Sequence, residues 1–318
     1  MNKTDKIYVA GHRGLVGSAI VQTLESAGYN NICTRTHQEL DLTDQPSVEA
    51  FFKAESPDYV FLAAAKVGGI LANNEYPAEF IQQNLAIQSN VIHEAWRAGV
   101  KRLLFLGSSC IYPKACPQPI KEEYLLTGPL EPTNRPYALA KIAGIEICWA
   151  YNRQYGTQYL AAMPTNLYGP GDNYDLEKSH VLPALIRKMH EAKTNSTEQV
   201  VIWGTGKPRR EFLFNHDMAE ACVYLMNMED EKYQSFINEE TAPLINIGVG
   251  EDLTIAELAE TVASVIGYQG KLVYDTSKPD GTMQKLLDVS RVNALGWKAK
   301  TNLAEGIQIA YQDWLKTQ

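Results

Sequence analysis

Tyr137 and Lys141 stand four residues apart in Tyr137-Ala-Leu-Ala-Lys141, a spacing that stacks both side chains on one face of a helix. A free phenol, with a pKa near ~10, exchanges protons poorly at neutral pH. An ammonium beside it favours the phenolate and brings that value down. Such a pair can hand a proton to a carbonyl oxygen while hydride arrives at the carbon, or run the reverse. The same oxygen needs a neutral hydroxyl to polarise it, and Ser108, in Ser108-Ser109-Cys110-Ile111-Tyr112, supplies one. Tyr-x-x-x-Lys arises often by chance, and here its weight comes from what precedes it.

What precedes it is Gly11-His-Arg-Gly14-Leu-Val-Gly17, directly after a β-prone run at Lys6–Ala10. Glycines let the chain turn sharply and bring backbone N–H groups at a helix N-terminus up to a pyrophosphate. In a strand–loop–helix setting this predicts a dinucleotide site. NAD sites commonly hold the ribose hydroxyls with an Asp or Glu at the end of the second strand. This chain has Thr34-Arg35-Thr36-His37 there. Arg13 and Arg35 can reach a 2′-phosphate, which a carboxylate would repel, so the expected cofactor is NADP(H). The competing reading makes Arg35 a solvated surface charge.

The elements that must position these groups follow from periodicity. Leu15–Ala27 has helical spacing, a second strand is expected at Asn31–Arg35 and a helix near Ser47–Ala54. Tyr59–Ala64 and Arg102–Gly107 are apolar runs of strand length. Between them Pro77–Ala98 reads as a helix with Pro in its first turn. The pattern continues through a helix at Tyr137–Tyr155 and a strand at Gln158–Met163. Strands buried on both faces and alternating with helices predict an α/β fold, a doubly wound parallel sheet of the Rossmann type. After Asn166 the character changes: Tyr168–Asp175 reads as a loop, and later strands such as Val200–Trp203 mix with short helices. This places an NADP-binding domain over residues 1–167 and a smaller α/β substrate-binding domain over 168–318. Segments near 215–228 and 288–295 are expected to pack back onto the first.

Composition narrows the function classes. The 318 residues are 45% hydrophobic and 21% charged, ordinary for a soluble globular protein. A net charge of −8 lacks the basic field that nucleic-acid binding needs, so an anionic ligand must be held by local groups. Cys33, Cys110, Cys116, Cys148 and Cys222 contain no Cys-x-x-Cys pair, and their odd count with no signal peptide argues for a reducing cytoplasm, without disulfides or zinc. No apolar run is long enough to span a bilayer.

The ordered set of glycine turn, Gly-Ser-Ser and Tyr-x-x-x-Lys resembles the extended short-chain dehydrogenase/reductases over nearly the whole chain. Longer strings, GHRGLVG at 11–17, AAAKVGGILANN at 63–74, GSSCIYPK at 107–114, EPTNRPYA at 131–138 and MPTNLYGPG at 163–171, are similar to the GDP-L-fucose synthase family. That family epimerises C3 and C5 of GDP-4-keto-6-deoxy-D-mannose and then reduces the C4 ketone with NADPH. The resemblance implies that Ser108, Tyr137 and Lys141 act on the C4 oxygen, and that Cys110 and His180 exchange protons at C3 and C5. It implies a cofactor site formed by Gly11, His12, Arg13, Gly14, Leu15, Val16 and Gly17, by Arg35, His37, Asp41 and Leu42, by Leu106, Gly107, Ser108 and Ser109, by Tyr137 and Lys141, and by Pro164, Thr165, Asn166, Leu167 and His180. Trp203 and Arg210, in a segment similar to the WGxGxxxREF run of sugar-nucleotide enzymes, together with Lys188 and Asp280, are implied for the substrate. A homodimer through Pro77–Ala98 and Tyr137–Tyr155 is implied as well.

One position departs from the family: His37 stands where a second Arg is common, and a neutral imidazole is a weaker phosphate partner. Two other readings compete. A 4-epimerase or 4,6-dehydratase of the same superfamily is one, although a dehydratase would carry an acid pair where Ser109 and Cys110 stand. A non-catalytic NADP-sensing protein is the other, although such proteins typically lose the Tyr or Lys.

Overall fold

The computed structural model describes residues 1–176, 179–237, 240–278 and 280–318. Through the first half the chain alternates β1 (Ile7–Ala10), α1 (Leu15–Ser26), β2 (Ile32–Cys33), α2 (Gln45–Glu55), β3 (Tyr59–Leu62), α3 (Ile70–Glu75), α4 (Pro77–Arg97), β4 (Arg102–Leu106), α5 (Arg135–Tyr155) and β5 (Tyr159–Pro164). The second half runs β6 (Asn166–Tyr168), α6 (Val181–Thr194), β7 (Gln199–Trp203), β8 (Arg209–Arg210), β9 (Phe212–Phe214), α7 (Asn215–Met226), α8 (Asp230–Gln234), β10 (Leu244–Ile247), β11 (Leu253–Thr254), α9 (Ile255–Ile266), β12 (Lys271–Asp275), β13 (Gln284–Lys285), α10 (Ser290–Ala294) and α11 (Leu303–Leu315).

Among the described residues, six parallel strands form the central sheet in the order β2-β1-β3-β4-β5-β10. The strands β1, β4 and β5 are buried along their whole length, as expected where helices cover both faces. The chain reverses its direction of travel across the sheet between β1 and β3. That places a ligand crevice at their carboxyl ends. The second strand is shorter than its expected Asn31–Arg35, because Thr34 and Arg35 leave the sheet after Cys33. Tyr168, read as the start of a loop, closes β6 instead, paired with Phe214 of β9.

The sixth strand, β10, was not assigned from the sequence. Asn246 interrupts its apolar run, yet it is fully buried. Its Oδ1 accepts a 2.6 Å hydrogen bond from the Tyr112 hydroxyl, and its Nδ2 donates to the Ile120 carbonyl at 2.9 Å. The polar residue that hides the strand therefore fastens the segment after β4 to the sheet.

Two hydrophobic cores form. The larger surrounds the sheet and takes in Leu213, Met218 to Met228 of α7 and beyond, Leu244 to Ile247, Leu287 and Val292. The smaller joins α6, α9 and α11 around Leu185, Ile186, Val262, Ile307 and Trp314. At the seam, buried Asn215 opens α7 and donates from Nδ2 to the carbonyls of Leu15 and Pro170, each at 3.0 Å. One amide thus sets the first turn of α1 against the start of the smaller unit.

Arg102, at the start of β4, is a buried cation that holds the end of α7. Its Nη1 donates to the carbonyls of Met226 (3.2 Å) and Met228 (2.7 Å), Nη2 pairs with Asp230, and the guanidinium lies 4.0 Å from the Tyr233 ring centroid. Removing it strands two buried carbonyls and opens a cavity. Arg102→Ala is expected to lower the unfolding free energy by about 3 kcal/mol, read as an earlier urea midpoint at unchanged slope.

Candidate active site

The site begins where β1 ends. Gly11 adopts φ +84°, and a Cβ there would lie 2.6 Å from the Ala64 nitrogen, so the turn runs against the strand β3 has just left. Gly17, inside α1, faces the same turn: a Cβ would collide with the Gly11 carbonyl. Only glycine allows helix and turn to approach this closely. The first turn of α1 has no side-chain cap, so its N–H groups and the helix dipole face the crevice unneutralised. The cradle fits a dinucleotide pyrophosphate.

Beyond β2, Arg35 lines the same crevice. Its Nη1 donates to the Thr34 carbonyl at 2.8 Å, and its Nη2 pairs with Glu55, which Lys6 also contacts at 2.6 Å. A guanidinium has five N–H donors, so these bonds orient the fork while leaving donors for an anion. His37, Asp41 and Leu42 also line the wall; the Asp41 carboxylate is held below its usual range by hydrogen bonds from Thr43. His12 and Arg13 lie outside the lining. The His12 imidazole hydrogen-bonds the Arg35 backbone, and Arg13 is exposed at the tip of the turn.

Ser108 follows β4 in an extended conformation, and its Oγ hydrogen-bonds the Tyr137 phenol. The Cys110 N–H donates to that Oγ at 3.4 Å. Tyr137 and Lys141 share the inner face of α5. Lys141 is buried, donates to the Leu106 carbonyl at 2.7 Å and lies 5.8 Å from the Tyr137 ring centroid. The sequence argument expects the ammonium to lower the phenol. Here burial wins: Tyr137 is pushed well above its ordinary value, and the Lys141 ammonium is brought down to about 8 by the same desolvation. The phenol therefore keeps its proton until a stronger base, such as an alkoxide, forms beside it.

Cys110 is buried beside this group. Desolvation raises its thiol, while Lys285, Ser108 and Lys141 act in the opposite direction. His180 caps the start of α6, open to the cavity yet surrounded by enough protein that desolvation, with Lys285 adding, holds the imidazole on its neutral side. Lys285 was missed from sequence. It sits in a polar run on β13, a two-residue strand, and only the pairing of β13 with β8 brings it level with Arg210.

Further along, two adjacent arginines have different surroundings. Arg209 is occupied by Asp252, with Nε to Oδ1 at 2.7 Å and Nη2 to the carbonyl at 2.8 Å. Arg210 faces the cavity, donates to the Arg209 carbonyl, and has no carboxylate partner among the described residues. The next residue, Glu211, is fully buried. Its Oε1 accepts from the N–H groups of Val249 (2.6 Å) and Gly250 (2.7 Å), and Oε2 from Leu287 (3.0 Å). Its carbonyl accepts from Thr165 and Asn166 side chains. Asp280 lines the cavity mouth, where its carboxylate is engaged by the Thr205 N–H (2.8 Å) and hydroxyl (2.7 Å). Trp203 and Lys188 lie outside the lining. Trp203 is 63% exposed, with the ammonium groups of Lys188 and Lys278 at 5.4 and 5.5 Å from its ring centroid.

One cavity of about 1460 Å³ gathers Gly11, residues 14–17, Arg35, residues 106–110, Tyr137, Lys141, residues 164–167, His180, Arg210, Asp280 and Lys285. That exceeds the roughly 300–1,000 Å³ of a single drug-sized ligand site and suits two extended ligands meeting end to end. The Ser108–Tyr137–Cys110 cluster lines this same cavity.

Residues 7–242 match the NAD dependent epimerase/dehydratase family. The chain is 57% identical over 316 residues to "Putative GDP-L-fucose synthase 2" of Arabidopsis thaliana, covering 99% of this chain and 93% of that protein. It is 54% identical to the GDP-L-fucose synthase of Escherichia coli (strain K12), with 98% and 97% covered. A solved GDP-D-glycero-L-gluco-heptose synthase from Campylobacter jejuni, in the presence of NADPH, superposes with a TM-score of 0.93 at 41% identity and 99% coverage of both chains. The chain belongs to the NAD dependent epimerase/dehydratase family.

Proposed function

We propose that this protein is an NADPH-dependent epimerase–reductase that converts GDP-4-keto-6-deoxy-D-mannose to GDP-L-fucose. The observation that carries the reading is the cluster of Ser108, Tyr137, Lys141 and Cys110 in one cavity with the glycine turn and Arg210. The identity to GDP-L-fucose synthases over nearly the full chain supports the substrate.

The glycine turn and the first turn of α1 would hold the cofactor pyrophosphate, Arg35 the 2′-phosphate, and residues 164–167 would border the nicotinamide. When bound, NADPH supplies the hydride that reduces C4. At the other end Arg210 would clamp a diphosphate oxygen beside Asp280, while Trp203 and Lys188, outside the lining, would meet a nucleotide that extends past the cavity mouth.

A C4 ketone makes the hydrogens on C3 and C5 acidic. Between them, Cys110 and His180 remove the proton from one face of each carbon and return one to the other. The C–H electron pair moves onto the C4 oxygen as an enolate, which Ser108 and Tyr137 hold by hydrogen bonds. The same two donors then face the alkoxide that develops during reduction, and Tyr137 transfers its proton to it. Lys141 stabilises the phenolate left behind. One oxyanion pocket thus serves three steps because each places negative charge on the same atom.

The fold divides, in this reading, into a cofactor unit of residues 1–167 with returns near 215–228 and 288–295, and a substrate unit of 168–318. We place the enzyme in the cytoplasm as a homodimer joined through α4 and α5, with Leu139 and Tyr155 of α5 and Tyr76, just before α4, exposed. Sedimentation equilibrium is expected to return twice the chain mass, and a monomer at micromolar concentration would refute the dimer.

With GDP-4-keto-6-deoxy-mannose and NADPH in D2O, the wild type is expected to give GDP-L-fucose carrying deuterium at C3 and C5 by NMR. Tyr137→Phe should slow NADPH oxidation about 100-fold or more. Cys110→Ser and His180→Gln should suppress deuterium incorporation; undiminished incorporation would refute their roles. Arg35→Ala should reduce kcat/KM for NADPH by about 10-fold or more and leave that for NADH nearly unchanged, since one charge-assisted phosphate contact is worth roughly 1.5–3 kcal/mol.

A further inference from the structure

Glu55 is badly placed for its own helix. It is the last residue of α2, where the negative end of the helix dipole favours a cation over a carboxylate. Both of its oxygens are nonetheless engaged, and each by a cation. Oε2 meets the Lys6 ammonium at 2.6 Å, and Oε1 accepts from Nη2 of Arg35. Arg35 lines the cavity, whereas Lys6 and Glu55 do not. The carboxylate therefore grips the arginine from outside the lining.

The grip has a rigid base. The Lys6 backbone is pinned between β1 and β3: its N–H donates to the Asp58 carboxylate at 2.8 Å, and its carbonyl accepts from the N–H groups of Asp58 (2.8 Å) and Tyr59 (3.1 Å). Phe51, one turn before Glu55 on the same face of α2, places its ring centroid 5.3 Å from the Arg35 guanidinium. With the Thr34 carbonyl at 2.8 Å, the fork is held by a ring, a carbonyl and a carboxylate. A long side chain on a loop would otherwise spread over many rotamers, and that freedom would be lost on binding.

Charge makes the arrangement more than a surface ion pair. A lone carboxylate beside Arg35 would orient the guanidinium and cancel its charge at once, which works against recognition of an anion. Lys6 removes the conflict. Two cations and one anion leave one net positive charge, the same as an unpaired arginine, so the fork is oriented without being neutralised.

We propose that Glu55 and Lys6 are positioning residues for cofactor selection: Glu55 holds the Arg35 fork for the 2′-phosphate of NADPH, and Lys6 supplies the charge that lets it do so without weakening the site. Both act through Arg35. The inference rests on the reading of Arg35 as the 2′-phosphate partner and deepens it.

The experiment is calorimetric titration with NADP+ and with NAD+, which differ only in the 2′-phosphate. It compares the wild type with Arg35→Ala, Glu55→Ala, Lys6→Met and the double variant Lys6→Met/Glu55→Gln. The Kd for NADP+ is expected to rise about 3-fold or more in Glu55→Ala and in Lys6→Met, while that for NAD+ stays near wild type. In the double variant the uncompensated carboxylate is gone and a neutral acceptor remains for Nη2, so NADP+ binding should return to the wild-type value. Charge alone predicts the opposite for Glu55→Ala, because removing an anion beside a phosphate site tightens it. Tighter or unchanged NADP+ binding in Glu55→Ala overturns the proposal, as does unchanged binding in Lys6→Met or a Lys6→Met loss that Glu55→Gln fails to relieve. Should Glu55→Ala not fold, the two Lys6 variants decide alone. Equal discrimination between the cofactors in Arg35→Ala and the wild type would sink the assignment of Arg35 and this inference with it, whereas a loss confined to Arg35→Ala sinks the inference only.

Discussion

The buried carboxylate of Glu211 is the interaction on which the geometry of the cavity depends. Without hydrogen bonds, a fully buried carboxylate would be expensive. Its three backbone donors come from two separate segments, the turn after β10 and the end of β13, and its own carbonyl is gripped by Thr165 and Asn166. Gly248 passes so close that a Cβ there would overlap the carboxylate. The residue therefore joins the two walls of the cavity one position after Arg210, and its third donor, Leu287, lies two positions after Lys285. Burial raises the carboxyl above its ordinary value, opposed by those N–H groups, so its hold depends on their all staying in place.

From that anchor follows a division of charges. Carboxylates around the cavity are mostly spent on structure: Asp252 on Arg209, Glu55 on Arg35 and Lys6, Glu131 on Lys114, Asp280 on the Thr205 turn. Among the described residues, Arg210 and Lys285 line the interior without a carboxylate partner, and the uncapped first turn of α1 adds its N–H groups. A protein of net charge −8 thus presents a locally positive lining to a dinucleotide and a nucleotide sugar, both polyanions. Acidic composition excludes a global field, not a local one.

Much of this was legible in the residues. The glycine turn, the strand and helix alternation and Tyr-x-x-x-Lys each rest on local rules: backbone sterics, period and i,i+4 stacking. What could not be read came from long-range pairing. β10 joins the sheet far downstream, carrying a polar residue whose purpose is visible only beside Tyr112. Lys285 lies on a two-residue strand with no periodicity, and its role as a neighbour of Arg210 exists only through register. The expected depression of the Tyr137 phenol failed for a related reason. Sequence gives the separation of phenol and ammonium along a helix, but not the dryness around them, and dryness decided the sign.

That sign has a chemical consequence. A phenol lowered toward neutrality would suit a reversible alcohol dehydrogenase, because it could accept as readily as donate. A phenol held high by burial donates its proton readily once the adjacent oxygen gains alkoxide character, which suits the proposed reduction. In the proposed reaction, hydrogen bonds from Ser108 and the protonated Tyr137 would hold the enolate while Cys110 and His180 exchange protons at carbon. The desolvation of Tyr137 thus suits proton delivery to the C4 oxygen as the closing step of that reaction.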